Sequence, residues 1–208
     1  MRVPYLILLA AALSAACPSL LAQEAADSVA KAPAAVAVPH VIFKQVPVDG
    51  TLEEFSDRLV RSGLVFHGIR EGRASLEGKF TGVEGAKVYA FSTCGQTWRV
   101  VVDFPAVDTW ASVKKQYVFF KTSLSGKYVC EPRSVERFPS YCPEGTGREY
   151  NAFRDETAVY TSSFVVPNGG VTLSVVPVTS GAGRLFVRLE YVDELNSMLR
   201  DNEVIEDL

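Results

Sequence analysis

The chain has 208 residues, of which 48% are hydrophobic and 22% charged, a composition typical of one globular domain. Its formal net charge is -3 and its basic residues form no stripe or run, which argues against nucleic acids and anionic membrane surfaces as partners. With 2 histidines and 4 cysteines, it is also poor in the side chains that most often bind metals or act as catalytic bases.

The N-terminus predicts export. A basic residue, Arg2, precedes an apolar stretch over residues 5–16, and small residues place a cleavage site after Ala22. We therefore predict a signal peptide over residues 1–22, because the apolar stretch is too short for a membrane-spanning helix. A lipobox-like pattern ending at Cys17 leaves lipidation of that residue open as an alternative. We expect a periplasmic or secreted protein, or an outer-membrane lipoprotein if Cys17 carries a lipid.

Residues 23–40 predict a flexible tether. They are rich in alanine, and valine is their only larger aliphatic residue. Such a composition buries too little apolar surface to order the backbone. A single folded domain is predicted over residues 41–208, and it should begin with an extended segment over residues 41–48.

Two helices are predicted from caps and from apolar residues at helical spacing. Thr51 and Glu54 form a capping box at the start of the first helix, which Gly63 ends. The second helix is expected to begin at residues 108–109 and to end near Gly126. The apolar stripes, which we assign to the core, are Leu52, Phe55 and Leu59 in the first helix and Val113, Tyr117, Phe120 and Leu124 in the second.

Seven strands are predicted from alternating apolar and polar residues, with Gly-containing turn signals between them. They cover residues 64–67, 73–81, 86–93, 97–105, 157–165, 170–178 and 184–192. Polar residues such as Arg99, Asp103 and Arg188 alternate with apolar ones, so one face should be buried and the other wet. A short final helix should follow, with Asp193 as its cap. The predicted fold class is α+β, with one antiparallel sheet and helices packed on one of its faces.

An internal repeat organises these elements, because residues 70–104 are similar to residues 154–191. The corresponding positions are Ala74, Leu76, Gly78 and Phe80 with Ala158, Tyr160, Ser162 and Phe164, and Trp98, Val100, Val102 and Phe104 with Leu185, Val187, Leu189 and Tyr191. Self-similarity at a fixed offset predicts two pseudo-repeats, 41–107 and 108–208, each a helix followed by antiparallel strands. The alternation also assigns Trp98 to the core, whereas Trp110 stays open as a residue for stacking on carbohydrate.

Residues 129–153 interrupt the second pseudo-repeat. The segment is polar and rich in proline, and a loop of this length is usually functional or disordered. In an oxidising compartment, Cys130 and Cys142 are a candidate disulfide within it, with Cys94 left over. The reduced state of all three thiols and a bridge from Cys94 to either of the others stay open.

No catalytic, cofactor-binding or metal site is predicted. Nucleophilic catalysis needs a histidine oriented beside a nucleophile, and neither His40 nor His67 lies in such a motif. The carboxylates of Asp103 and Asp108 are assigned to a surface pair with Arg99 and to a helix cap, respectively, so they are not expected to face each other across a cleft.

Short segments along the whole domain carry a family resemblance. They are residues 43–51 (Phe-Lys-Gln-Val-Pro-Val-Asp-Gly-Thr), 54–55, 76–82 (Leu-Glu-Gly-Lys-Phe-Thr-Gly), 100–105, 110, 124–128 (Leu-Ser-Gly-Lys-Tyr), 187–193 and 206–208. Through them the domain resembles an uncharacterised family of small exported proteins from Gram-negative gut anaerobes. It departs after Tyr128, where Val-Cys-Glu-Pro stands in place of Gly-x-Pro, which supports a local role for Cys130. The resemblance implies no catalytic residues. More loosely, the duplicated plan is similar to β-lactamase-inhibitor-protein-like and TATA-binding-protein-like α+β domains.

The sequence-based hypothesis for function is a non-enzymatic exported domain. It would bind a protein or an envelope component through its open sheet face or through residues 129–153. This hypothesis depends on a well-patterned core without a recognisable chemical motif. Two alternatives stay open, namely a hydrolase acting on an envelope or dietary polymer and an inhibitor of a secreted enzyme with a protruding loop at residues 81–86 or 93–97.

Overall fold

The computed structural model describes residues 39–179 and 183–199. Its helices are α1 (Leu52–Arg61), α2 (Trp110–Tyr128) and α3 (Glu149–Arg154), and residues 194–199 are also helical. The strands are β1 (Ile42–Phe43), β2 (Val46–Pro47), β3 (Leu64–Arg70), β4 (Arg73–Phe80), β5 (Val83–Thr93), β6 (Gln96–Asp103), β7 (Arg133–Arg137), β8 (Val159–Val166), β9 (Gly169–Pro177) and β10 (Leu185–Asp193). None of these described helices has the length and apolarity that crossing a membrane requires. The predicted signal peptide, Cys17 and nearly all of the tether lie outside the described residues.

Eight strands form one antiparallel sheet in the order β3-β4-β5-β6-β10-β9-β8-β7. The first half of the domain contributes α1 followed by β3 to β6, and the second half contributes α2 followed by β7 to β10. The two halves meet where β6 pairs with β10, with Val102 opposite Leu189. The α+β class and a single large antiparallel sheet, both predicted from the sequence, are therefore confirmed.

The two long helices share one core with the sheet, on the side that we call the covered face. α1 contacts β3 to β6, and α2 contacts β8 to β10. Phe55 of α1 and Tyr117 of α2 are fully buried together with strand residues such as Val100 and Leu173. The opposite side of the sheet, the open face, carries the alternate side chains of the same strands.

All seven predicted strands and both long helices are present, with small shifts at their ends. The predicted capping box of α1 is formed. Thr109 caps α2 in place of the predicted Asp108, because the Thr109 side chain accepts the hydrogen bond from the Ser112 N–H. α2 also passes through Gly126 and ends only at Tyr128.

The segment over residues 41–48 is a hairpin, not the single extended stretch that the sequence predicts. β1 and β2 pair across a turn at Lys44 and Gln45, where φ is 45° and 66°. Sequence reasoning missed this turn because neither residue is the glycine or asparagine that usually accepts such values. The hairpin brings Phe43 to the covered face, where its ring stacks on Phe80 at 5.5 Å and meets Tyr191 edge-on at 5.2 Å.

The segment over residues 129–153 is ordered, in contrast to the long loop that the sequence predicts. It contains β7, which pairs with β8 at the edge of the sheet, and most of α3. Sequence reasoning missed β7 because its residues are all exposed and show no apolar alternation. Glu144 attaches the segment to the core, since it accepts hydrogen bonds from Trp110 Nε1 at 2.8 Å and from the Tyr160 hydroxyl at 3.1 Å.

Ordered contacts begin slightly before the predicted domain start. The Pro39 carbonyl accepts a hydrogen bond from Asn168 Nδ2, and the His40 ring lies 3.2 Å from the Asp193 carboxylate. Asp193 is fully buried and also accepts hydrogen bonds from the Val41 and Asn196 N–H groups. The bond from Asn196 confirms the predicted cap of the final helix.

Candidate functional site

Outward side chains of β5, β6 and β10 form the centre of the open face. The register places Lys87, Asp103 and Arg188 in one row and Tyr89, Val101 and Glu190 in the next. Each of these three strands has a partner on both sides, so the rows lie on a rigid support. Val101 is only 4% exposed, because the longer side chains around it cover it.

Two ion pairs join β6 to β10 across this centre. Arg188 donates to Asp103 through Nε at 2.7 Å and through a terminal nitrogen at 2.9 Å. Arg99 lies 2.6 Å from Glu190. Hydrogen bonding to the Asp103 carboxylate raises the pKa of Arg188. The predicted pair of Arg99 with Asp103 is wrong, because each of these residues pairs with the neighbouring strand and not along its own.

Aromatic rings lie against three arginines of the open face. The guanidinium carbon of Arg99 is 5.2 Å from the Phe91 ring centroid and 5.9 Å from that of Trp98. The Arg73 guanidinium is 5.2 Å from the Tyr89 ring, and that of Arg188 is 5.4 Å from the Phe186 ring. These are distances of cation–π contacts, which favour a fixed orientation of each guanidinium. The arginine–aromatic patch is our name for Arg73, Tyr89, Phe91, Trp98, Arg99, Phe186 and Arg188.

Trp98 belongs to this patch and not to the core, which corrects the sequence-based prediction. The register of β5 and β6 shifts between the pairs Phe91–Arg99 and Ser92–Thr97, so Trp98 is an extra residue in β6. A bulge of this kind interrupts the alternation of sides. Thr97 therefore takes the inward position, where it is fully buried, and Trp98 lies half-buried beside Arg99.

A groove of about 640 Å³ borders the patch at one end of the open face. Tyr89, Phe186 and Arg188 of the patch line it, together with Lys87 and Arg184. Asp103 is the acidic residue among the described residues that line the groove, against three cationic ones. The groove is therefore positively charged on balance and complements a carboxylate.

Asp103, Glu54 and His67, which the sequence offered as possible acids or bases, each make a separate contact in the described part of the chain. No group of three or more His, Cys, Asp or Glu side chains there has a geometry that could hold a metal ion. Asp103 is bound by Arg188, and Glu54 by the capping box of α1. The exposed His67 ring lies 3.9 Å from Glu77. The inhibitor alternative expects a protruding loop at residues 81–86 or 93–97. Both ranges contain tight turns, since β5 already begins at residue 83 and β6 at residue 96.

The cysteines are separate in the structure. The structure shows Cys130 and Cys142 as thiols. A disulfide between them in an oxidising compartment stays a prediction. Cys142 is buried, with Sγ 3.6 Å from the Thr146 hydroxyl, and Cys130 lies partly buried beside the core. Cys94 is exposed in the turn between β5 and β6.

Trp110, which the sequence left open, lies in an aromatic cluster at the start of α2. Its ring centroid is 4.8 Å from that of Tyr160, 5.0 Å from that of Phe138 and 5.5 Å from that of Phe153. Its Nε1 donates to Glu144, and hydrogen bonds from Lys114 and Trp110 lower the pKa of that carboxyl. The indole thus attaches residues 129–153 to α2.

No protein-family model matches this chain, and neither a curated protein nor a solved structure matches it.

Sequence reasoning missed Tyr89, Phe91 and Phe186 as members of a site. A signal was present in the sequence, since the buried Val88 and Ala90 alternate with Tyr89 and Phe91 in β5, and the buried Leu185 and Val187 flank Phe186 in β10. Alternation shows which residues share a side of a strand but not which strands become neighbours. The strand order supplies that information by placing β5, β6 and β10 together.

Proposed function

We propose that this chain is an exported, non-enzymatic binding domain of the cell envelope, and that it binds a protein partner on its open face. The arginine–aromatic patch is the observation that carries the proposal. Arginine, tyrosine and tryptophan are the residue types that contribute most binding energy at protein interfaces. Three arginines and four aromatic residues are gathered on one side of one sheet.

The fixed geometry of the patch supports this function, because binding costs less when few side chains must be immobilised. Asp103 orients Arg188, and Glu190 pairs with Arg99. The neighbouring groove adds electrostatic selectivity. Its balance of charge favours a partner that presents a carboxylate over one that presents an amine.

We infer further that the two halves of the domain are pseudo-repeats over residues 41–107 and 108–208. Their order of elements supports this, since each half contains a long helix followed by four strands of one sheet, with the β1–β2 hairpin added in the first half and α3 in the second. The last strands of the two halves, β6 and β10, are also the pair at the centre. A duplicated unit would explain why one broad surface forms across the junction.

A matched pair of variants tests the binding surface. Arg73→Glu reverses an exposed charge inside the patch, and Arg133→Glu reverses an exposed charge on β7 at the sheet edge. We expect a crosslinked pull-down from the native envelope to recover one reproducible partner with the wild type and with Arg133→Glu. The same partner should be lost with Arg73→Glu. Its recovery with Arg73→Glu, or no reproducible partner with any form, would contradict the proposal.

Export has its own test, because it is proposed from the N-terminal sequence alone. Mass spectrometry of the mature protein should find Gln23 as the first residue. A lipidated Cys17 at the N-terminus would instead place the domain on a membrane through its lipid. An intact Met1 in cell-envelope fractions would overturn the predicted signal peptide.

A further inference from the structure

β10 ends at a row of arginines on the open face. The register joins its residue Val192 to β6, β5, β4 and β3, and the members of this row are Arg70, Arg73, Phe91, Arg99 and Val192. We call it the basic row, because it contains three arginines and no acidic residue. Glu190 pairs with Arg99, whereas Arg70 and Arg73 are exposed and have no carboxylate within 4.0 Å among the described residues.

The chain leaves the sheet beside the basic row. Residues 194–199 form the final helix, in which the Asn196 side chain donates to the Thr97 carbonyl at 2.8 Å. Thr97 directly precedes Trp98 of the arginine–aromatic patch. The described part of the chain ends at Leu199, about 5 Å of helix beyond Asn196. The residues that follow therefore start close to the basic row.

Those residues, 200–208, complement the patch in charge and in apolar content. Their sequence is Arg-Asp-Asn-Glu-Val-Ile-Glu-Asp-Leu, so four acidic residues stand against one arginine, with three aliphatic side chains among them. We call this the acidic segment.

The acidic segment is long enough to lie across the patch. Nine extended residues span up to about 30 Å. Arg73 lies two strands from β6, a distance of about 10 Å, and Arg188 lies about 13 Å back along β10 from Val192. Both arginines are therefore within reach.

Attachment to the final helix decides whether weak contacts suffice. The exposed arginines are hydrated, and an exposed ion pair changes an equilibrium constant by about fivefold at most. A short linker, however, raises the local concentration of the attached segment to about the millimolar range. A Kd of about 1 mM is then enough for the segment to occupy the patch in about half of the molecules.

We propose that the acidic segment occupies the arginine–aromatic patch of its own chain. Its carboxylates face the arginines of the basic row, and its aliphatic side chains cover the half-buried rings of Phe91 and Trp98. The segment then competes with a protein partner for the open face. That competition rests on the proposed function, whereas occupancy of the patch needs no partner.

NMR spectra of the purified protein and of a charge-neutral variant test the occupancy. The variant carries Asp201→Asn, Glu203→Gln, Glu206→Gln and Asp207→Asn. We expect the indole N–H signal of Trp98 and the backbone signals of the basic row to shift between the two proteins. The indole signal of Trp110 should stay constant, because that side chain attaches residues 129–153 to α2 and lies outside the patch.

Salt gives a second comparison on the same signals. Raising the salt concentration to about 0.5 M screens exposed charges and should move the Trp98 signal of the unmodified protein toward its position in the variant. Identical spectra of the two proteins, or shifts centred on α1 and α2, would overturn the proposal. Shifts that grow with protein concentration would also overturn it, in favour of the acidic segment of a second copy.

A peptide of residues 200–208, added to protein that lacks them, locates the contact. We expect saturable shifts of the same signals with a Kd of about 1 mM. Arg73→Glu should weaken the peptide by about fivefold, and Arg133→Glu, which reverses an exposed charge on β7, should leave its affinity unchanged. Equal affinities for both variants, or no saturable shift, would contradict the proposal.

The occupancy and the proposed function fail separately in these experiments. Absence of a reproducible partner in the pull-down contradicts the proposed function alone. Identical NMR spectra contradict occupancy of the patch alone. If both proposals hold, the charge-neutral variant should retain more of the partner than the unmodified protein, because its patch is free.

Discussion

The two faces of the sheet differ in chemistry although the same strands build both. In β6, Val100 and Val102 point to the covered face and are fully buried, while Arg99 and Asp103 point to the open face and stay partly exposed. Burying one aliphatic side chain contributes about 1.5–3 kcal/mol, whereas an exposed ion pair contributes about 0–1 kcal/mol. The covered face therefore supplies the stability of the domain, and the open face is available for recognition at little cost to the fold.

The largest loss of stability is expected from a substitution on the covered face at Phe43, whose ring is fully buried. Phe43→Ala removes the contacts with Phe80 and Tyr191 and leaves a cavity, so the free energy of unfolding should fall by about 3–5 kcal/mol. Chemical denaturation measures this. The neighbouring Ile42 is 44% exposed, and Ile42→Ala should cost less than about 1 kcal/mol. Equal losses in the two variants would show that burial on the covered face is not the source of the stability.

The next effect concerns Asp193, a charged residue that is fully buried where β10 ends. Asp193→Ala leaves the Val41 and Asn196 N–H groups without their acceptor, so the domain should lose about 1–3 kcal/mol. Thermal unfolding at constant pH gives the measurement. Glu194→Ala is the control, because that side chain is exposed and directly adjacent. A change of the same size in the control would show that burial is not the cause.

A smaller effect is expected on the open face, at the pair of Arg188 with Asp103. Their side chains are 35% and 17% exposed, and solvent screens their attraction. A double-mutant cycle with Arg188→Ala and Asp103→Ala should therefore give a coupling free energy of about 1 kcal/mol or less. A coupling above about 3 kcal/mol would show that the open face contributes to stability as a buried pair does.

The smallest effect is expected at Glu144, which attaches residues 129–153 to Trp110 of α2. Hydrogen bonds from Lys114 and Trp110 lower the pKa of Glu144 below its ordinary 4.5. A carboxyl whose folded pKa is depressed stabilises the fold above its unfolded pKa, and this contribution disappears as the pH falls through the folded value. We therefore expect the contact with Trp110 to be lost on acidification below pH 4.5.

Tryptophan fluorescence measures this loss, with Trp98→Phe as the background so that Trp110 is the only emitter. The emission should change with acid in this background and stay constant when Glu144→Gln is added. An identical acid transition in both proteins would assign the change to another group.

Much of the fold is predictable from the sequence, because it depends on local pattern. The capping box at Thr51 and the apolar spacing of Leu52, Phe55 and Leu59 predict α1 correctly. Alternation predicts the strands of the sheet in the same way, down to the buried Ser162 in β8. Where local pattern is absent, as in β7, the prediction fails for a physical reason, since an edge strand exposed on both sides needs no apolar alternation.

The candidate site is less predictable, because its contacts join residues that are distant in the chain. Arg188 and Asp103 are 85 residues apart, and their pairing depends on the register between β6 and β10. Trp98 reaches the open face only through the one-residue bulge in β6. The position of Lys44 beside Phe80 depends on a turn that lacks the usual turn residues.

The pairing of β6 with β10 leaves the sheet incomplete until late in synthesis. β6 has β5 as its neighbour on one side, and its other neighbour, β10, is the last strand within the described residues. A nascent first half therefore carries an unpaired, valine-rich strand edge until residue 193 has been synthesised, and such edges promote aggregation. Strand pairing over so long a sequence separation is also slow. A chain that stops before β10 should thus be a substrate for chaperones and proteases and not an independently stable half-domain.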